Sequence, residues 1–183
     1  MKYICLILLA WLSIKNQASQ DLYACKNVKV SLFSSAPLED ITASTSTGTS
    51  VYNPATGDLA FSVNIRSFQF PKSLMQEHFN ENYMESDKYP KATFKGKIKE
   101  TIDVTKNGTY PVTATGDLQV HGVTQTRTIT GTAVVNNGTV SLSSEFMVKC
   151  ADHKIEIPTL VFKKIAESIK MNVSGTYTVA KSS

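Results

Sequence analysis

The sequence predicts an all-β protein whose antiparallel strands form a sandwich or a barrel. Three observations carry the prediction. Apolar residues alternate with polar ones over long runs, as in Tyr110, Val112, Ala114, Gly116, Leu118 and Val120. Alternation at period two puts one side of a strand on an apolar space and the other in water. Short turn signals separate such runs: Asn107-Gly108, His121-Gly122 and Asn137-Gly138. Asn-Gly accepts positive φ at both positions, which a tight hairpin requires. Third, the few helix-like stretches are short and apolar, so they suit the end of a sheet structure better than a helical core.

In chain order, the first strand is expected over about 27–34. Thr42–Ser50 is rich in Thr and Ser and reads as a long polar loop before a short second strand. Asn53–Asp58 is a turn. Leu59, Phe61, Val63 and Ile65 then share one face, with Ser62, Asn64 and Arg66 on the other. A short helix is expected over 71–80, with Pro71 at its start, where the missing N–H costs nothing. Phe94, Gly96 and Ile98 share the face of the next strand. Later runs are Ile129–Val135, Val140–Cys150 and Ile169–Val179, with a second short helix over Pro158–Glu167.

The amino terminus has the order of a secretory signal: Lys2, an apolar run from Ile4 to Ile14, then the polar Lys15–Gln20. The run is too short to span a bilayer, which takes about 20 residues. Residues 1–19 are therefore expected to be a signal peptide and 20–183 a single domain, exported to the periplasm or beyond. Leu22-Tyr23-Ala24-Cys25 looks like a lipoprotein cleavage box, but polar residues separate it from the apolar run. Removing Lys2 and Lys15 leaves 17 basic residues against 15 acidic ones. Neither a basic run nor a basic patch interleaved with aromatics is present, so nucleic acid is not expected as a partner.

Candidate chemistry is sparse. His78, His121 and His153 lie far apart and in no metal-binding spacing. His78 with Glu77 and Glu81 reads as the polar face of a helix, and His121 as a turn residue. Cys150, Asp152 and His153 lack an oxyanion-hole motif beside them. No catalytic residue, cofactor or metal is expected. A lipid-modifying enzyme using His78 or His121 is the weaker alternative. Cys5 leaves with the signal, and Cys25 and Cys150 then form a pair in an exported chain. Their disulfide is the expectation; two unpaired buried thiols are the alternative.

The apolar phase also contains small residues: Gly96, Ala114, Gly116, Gly131, Ala133 and Gly175. A small barrel normally fills its interior with side chains. Either the missing volume is a ligand cavity, or these glycines sit at bends that close the barrel.

The run from His78 to Ile98, with Tyr-Pro-x-Ala-Thr-Phe at 89–94, and the later Gly-Asp-Leu…Gly-Val-Thr at 116–124 resemble the YceI-like family of bacterial secreted proteins. The resemblance spans about Val28 to Val179. It implies a single lipocalin-like antiparallel β-barrel of about eight strands holding an isoprenoid or other long apolar lipid. It favours the cavity. The implied walls are Phe61, Val63, Ile65, Phe94, Ile98, Leu118, Leu142, Phe146 and Met171. Phe70, Leu74, Met75 and Phe79 would cover one end. The expected partner is a long-chain lipid of isoprenoid or quinone type, held for storage or transfer, with transient contact at a membrane surface. A stress-related envelope protein with a filled barrel is the alternative.

Overall fold

A computed structural model describes residues 21–35, 40–157 and 166–180. Eight strands form a closed barrel in sequence order: β1 (Tyr23–Ser34), β2 (Ile41–Tyr52), β3 (Asp58–Asn64), β4 (Lys91–Ile98), β5 (Gly108–Val120), β6 (Val123–Asn136), β7 (Thr139–Lys149) and β8 (Ser168–Val179). Every neighbouring pair is antiparallel, and β8 closes onto β1. Closure gives every strand a paired neighbour on both sides.

Two of the three turn signals make tight hairpins. His121 and Gly122 link β5 to β6 with φ of 51° and 71°, and Asn137 and Gly138 link β6 to β7 with φ of 46° and 77°. Asn107-Gly108 does not turn. Gly108 opens β5 after a longer loop, and the Asn107 carboxamide instead accepts from the Asn137 N–H at 2.8 Å. Thr42–Ser50 is not a loop either but lies within β2. Its inward positions are Ala43, Thr45, Gly48 and Ser50, too small and polar to show an apolar alternation.

The ladders are unequal. β5 and β6 pair along their whole length, from Gly108–Val135 to Val120–Val123. β7 and β8 do so from Val140–Tyr177 to Lys149–Ser168. Between β6 and β7 the ladder runs only from Asn136–Thr139 to Thr132–Ser143. Between β2 and β3 it runs from Tyr52–Leu59 to Thr49–Ser62, with one further bridge at Ser44–Gln69. The barrel is thus two four-stranded sheets, β3-β4-β5-β6 and β7-β8-β1-β2. They are zipped together at the end with the 53–57 and 137–138 turns, and their ladders stop short of the other end.

The zipped end is packed. Tyr52, Ala133, Val135, Val140 and Tyr177 fill it, none more than 4% exposed. At the other end β3 passes into a tight turn at Ile65–Ser67, then α1 (Ser73–His78) and a wider π-type turn at Phe79–Tyr83. Ile65 therefore leaves the strand but stays buried. The expected 71–80 helix is shorter, and Pro71 lies before it. The helix expected over Pro158–Glu167 falls mostly outside the described residues.

The glycines on the inward phase sit at close approaches, not at open space. A Cβ on Gly116 would lie 2.3 Å from the Gly96 Cα and the Lys95 carbonyl oxygen. One on Gly131 would lie 2.5 Å from the Ser143 carbonyl oxygen. The Phe94 ring folds over Gly96, and Cys25 and Val28 cover Gly175. The space beside these glycines is therefore already occupied, and they do not by themselves open a cavity.

Candidate functional site

The inner wall changes character along the barrel axis. Beyond the packed end, buried inward side chains such as Val30, Leu32, Val63, Phe94 and Leu118 alternate with ones that are only half-buried: Phe61, Ala114, Val120, Ile129, Phe146, Ile169, Met171 and Val173, with Leu142 at the border of the packed end. An inward apolar residue that still meets solvent faces incompletely filled space, because a packed interior has few voids larger than a water molecule. The candidate site is this part of the barrel, between the two sheets and away from their zipped end.

The expected wall residues divide accordingly. Phe61, Leu142, Phe146 and Met171 belong to the half-buried set. Phe94 and Leu118 are buried beside them with Val148. Val63 is buried, and Ile98 belongs to the closed end, against Val112 and Ile102. Of the four covering residues, Phe70 and Phe79 form an aromatic cluster with Phe68, at centroid distances of 4.9 Å (Phe70–Phe79) and 5.8 Å (Phe68–Phe79). Met75 is half-buried. Leu74 is 58% exposed and covers nothing, because a single short helix lying on the surface can turn only one face inward. Ile129, Ile169 and Val173 complete the wall. They sit in alternating runs visible in the sequence, so phase alone could have placed them there.

Two motif blocks meet at the site's outer end. The Tyr89 ring packs edge-on against His121 at 4.5 Å and lies over Gly122, where a Cβ would come within 2.5 Å of it. Gly122 is thus required twice, by its positive φ and by the ring. Both nitrogens of His121 are engaged, Nδ1 with the His153 carbonyl oxygen at 3.1 Å and Nε2 with Glu85 at 2.9 Å. A histidine held at both nitrogens is poorly placed as a general base. His153 is fully buried, its Nδ1 hydrogen-bonded to the Val123 carbonyl at 3.1 Å. His78 is exposed on α1. Sequence reasoning kept His121 and His153 apart; the turn after β7 brings them together.

Arg127 was not foreseen. It shares the phase of Ile129, Gly131 and Ala133 and is the one charged side chain on the inward phase of the eight strands. Its guanidinium donates to the Met147 carbonyl at 2.8 Å and lies 3.5 Å from Asp152.

The disulfide does not form. Cys25 and Cys150 are both free and buried. Cys25 lies level with the carboxyl end of β8, beside Gly175, and Cys150 level with its start, where its N–H meets the Glu167 carbonyl. About ten strand residues at ~3.3 Å each separate those levels, whereas a disulfide needs Cα atoms within about 7 Å. Burial raises the Cys150 thiol above its ordinary range. Burial also pushes the phenols of Tyr52 and Tyr177, at the closed end, up to about 12.

Among the described residues, no three His, Cys, Asp or Glu side chains converge as a metal site would require. No curated protein matches the chain in sequence. Among solved structures, a polyisoprenoid-binding domain from Saccharophagus degradans implicated in plant cell wall breakdown is similar. It superposes with a TM-score of 0.72 at 15% identity, over 88% of this chain and 99% of that one. BcnA of Burkholderia cenocepacia gives 0.69 at 16% identity, over 83% and 96%. A Campylobacter jejuni YCEI protein gives 0.55 at 18% identity, over the whole of both chains. At such identities these likenesses speak for the barrel. Membership rests on sequence: the pattern of the YceI-like domain matches residues 25–177, nearly the whole described barrel, and the chain belongs to the YceI-like family.

Proposed function

We propose that this protein is exported to the cell envelope and holds one long apolar chain, of isoprenoid or quinone type, between its two sheets. The observation that carries the reading is the set of half-buried apolar side chains on the inward phase, with Phe61, Phe146 and Met171 at its centre. Burying such a wall under a hydrocarbon contributes about 25 cal/mol per Å² of apolar surface removed from water. The packed end gives the chain a floor, and the Phe68, Phe70 and Phe79 cluster stands at the opposite end. Export is motivated by the order of residues 1–19. The Saccharophagus relative, described as polyisoprenoid-binding, supports the ligand class.

The test is to purify the protein from its native envelope, extract it gently and weigh what is released. A stoichiometric chain-like lipid is expected, on a polypeptide beginning between residues 19 and 21. A lipid-free protein that takes up no isoprenoid alcohol or quinone would overturn the binding reading. An intact Met1 would overturn export. Trp11 is the only tryptophan and lies in the segment expected to be removed. Phe146→Trp would then carry the sole tryptophan emission, and it should shift to shorter wavelength when the chain is bound.

A further inference from the structure

We infer that the seam between β6 and β7 is a side door through which the hydrocarbon chain enters and leaves, with Arg127 as the positioning residue that holds it shut. The inference rests on the lipid-holding reading above. It starts from the two incomplete ladders. Past the unpaired stretch of the β2–β3 seam one isolated backbone bridge ties the two sides again: Gln69 and Ser44 exchange both N–H···O bonds, at 2.8 and 3.2 Å. The Phe68–Phe79 cluster stands beside it. The β6–β7 seam has no such bridge among the described residues. From Val123 to Gly131 on one side, and from Ser144 to Lys149 on the other, no backbone pair is made.

Side chains take the place of the ladder. Ser144 Oγ donates to the Thr130 carbonyl at 2.7 Å, and Arg127 to the Met147 carbonyl at 2.8 Å. Gln125 Nε2 donates to the Asp152 carbonyl at 2.9 Å, and the His153 ring to that of Val123. These bonds come from separate side chains and can break one at a time, whereas ladder bonds form and break together with the strand. Where the ladder stops, an open groove of about 530 Å³ lies in the wall, with Gly131, Ser143 and Ser144 on its sides and the inward Val173 among its lining. Small side chains leave room at the fork. The packed end bars passage along the axis, and the two sheets share a zipped edge there that can act as a hinge. Arg127 is the exception on an otherwise uncharged inner wall. A cation in such a place calls for a partner, and both of its partners lie across the seam, Met147 on β7 and Asp152 in the turn that follows it.

The experiment staples the seam. Thr130 and Glu145 would face each other if the Thr132–Ser143 ladder ran two residues further. In Thr130→Cys/Glu145→Cys, with both native thiols buried, oxidation should form one new disulfide. The probe is a conjugated polyene alcohol whose fluorescence rises on burial. Uptake should be at least about tenfold slower in the oxidised protein and recover on reduction. In Arg127→Met, release of the bound probe should be about five- to tenfold faster. Equal uptake by the oxidised and reduced protein would overturn the door. Failure of the reduced protein to take up the probe at all would instead overturn the lipid-holding reading, and the door with it. If the staple does not form, Arg127→Met decides: a lowered melting temperature with unchanged release would make Arg127 a mere support and end its assignment as the latch.

Discussion

The two ends of this barrel are built from the same alternating strands yet solve different problems. At the zipped end the inner positions are packed, and Tyr52, Val140 and Tyr177 are almost wholly hidden. At the other end residues of the same type and phase, such as Phe146, Met171 and Val173, are left half covered. Composition does not separate the two ends; the ladders do. Where all neighbouring strands pair, the walls are close enough for side chains to meet. Where the β2–β3 and β6–β7 ladders stop, they meet only in part, as at Phe94, Leu118 and Val148. Stability should therefore be concentrated at one end and binding at the other.

Truncation at the closed end should give the largest effect. Tyr177→Ala would open a cavity in a filled region, and removal of a large buried aromatic costs about 3–5 kcal/mol. Urea unfolding should show the loss, and a change below about 1 kcal/mol would refute the contrast. Gly116→Ala comes next. Its Cβ would press into the Gly96 Cα and the Lys95 carbonyl, and overpacking of this kind costs about 1–3 kcal/mol. A neutral result would mean the two strands can separate there. Phe146→Ala, at the open end, should lower the stability of lipid-free protein less, by about 1–2 kcal/mol, since its ring is only partly covered, while weakening lipid binding about tenfold. A loss as large as that of Tyr177→Ala would erase the difference between the ends. Alkali provides a fourth comparison. The phenols of Tyr52 and Tyr177 are held neutral to about 12 in the folded protein, against about 10 in an unfolded chain. Their contribution to stability is complete below pH 10 and is lost as pH rises through 12. Tyr177→Phe keeps the packing and should flatten part of that fall. Leu74→Ser should change nothing, because Leu74 is exposed on α1.

Much of the fold could be read from the chain because alternation is a local property. β3 to β8 follow from their apolar phase, and the β5–β6 and β6–β7 hairpins from residues that tolerate positive φ. β2 was missed where its inward positions are Ala, Thr, Gly and Ser, since a strand of small polar residues has the composition of a loop. The glycines misled for another reason. A sequence shows that Gly116 lacks a side chain but not that the Gly96 backbone occupies the place. The inward phase of the expected wall residues was legible, and so was that of Arg127. What marks it as unusual, the absent ladder beside it, is a long-range fact. The two cysteines show the same limit: pairing by count ignored the length of β8 that separates them.

The pairing of Tyr23 with Val179 has a consequence for how the molecule comes into being. The β5–β6 hairpin joins neighbours in sequence and can form within about 1–10 μs. The β1–β8 ladder joins the two ends of the domain, and closing so long a loop is slow because the chain entropy must be lost before the contacts form. The first strand must therefore wait for the last. Until then β1 and β8 each keep one bare edge, and a concentrated pool of nascent chains could satisfy those edges with one another. Refolding yield should fall with protein concentration, and a short circular permutant that joins residue 180 to residue 21 should remove much of that dependence by making the last ladder local.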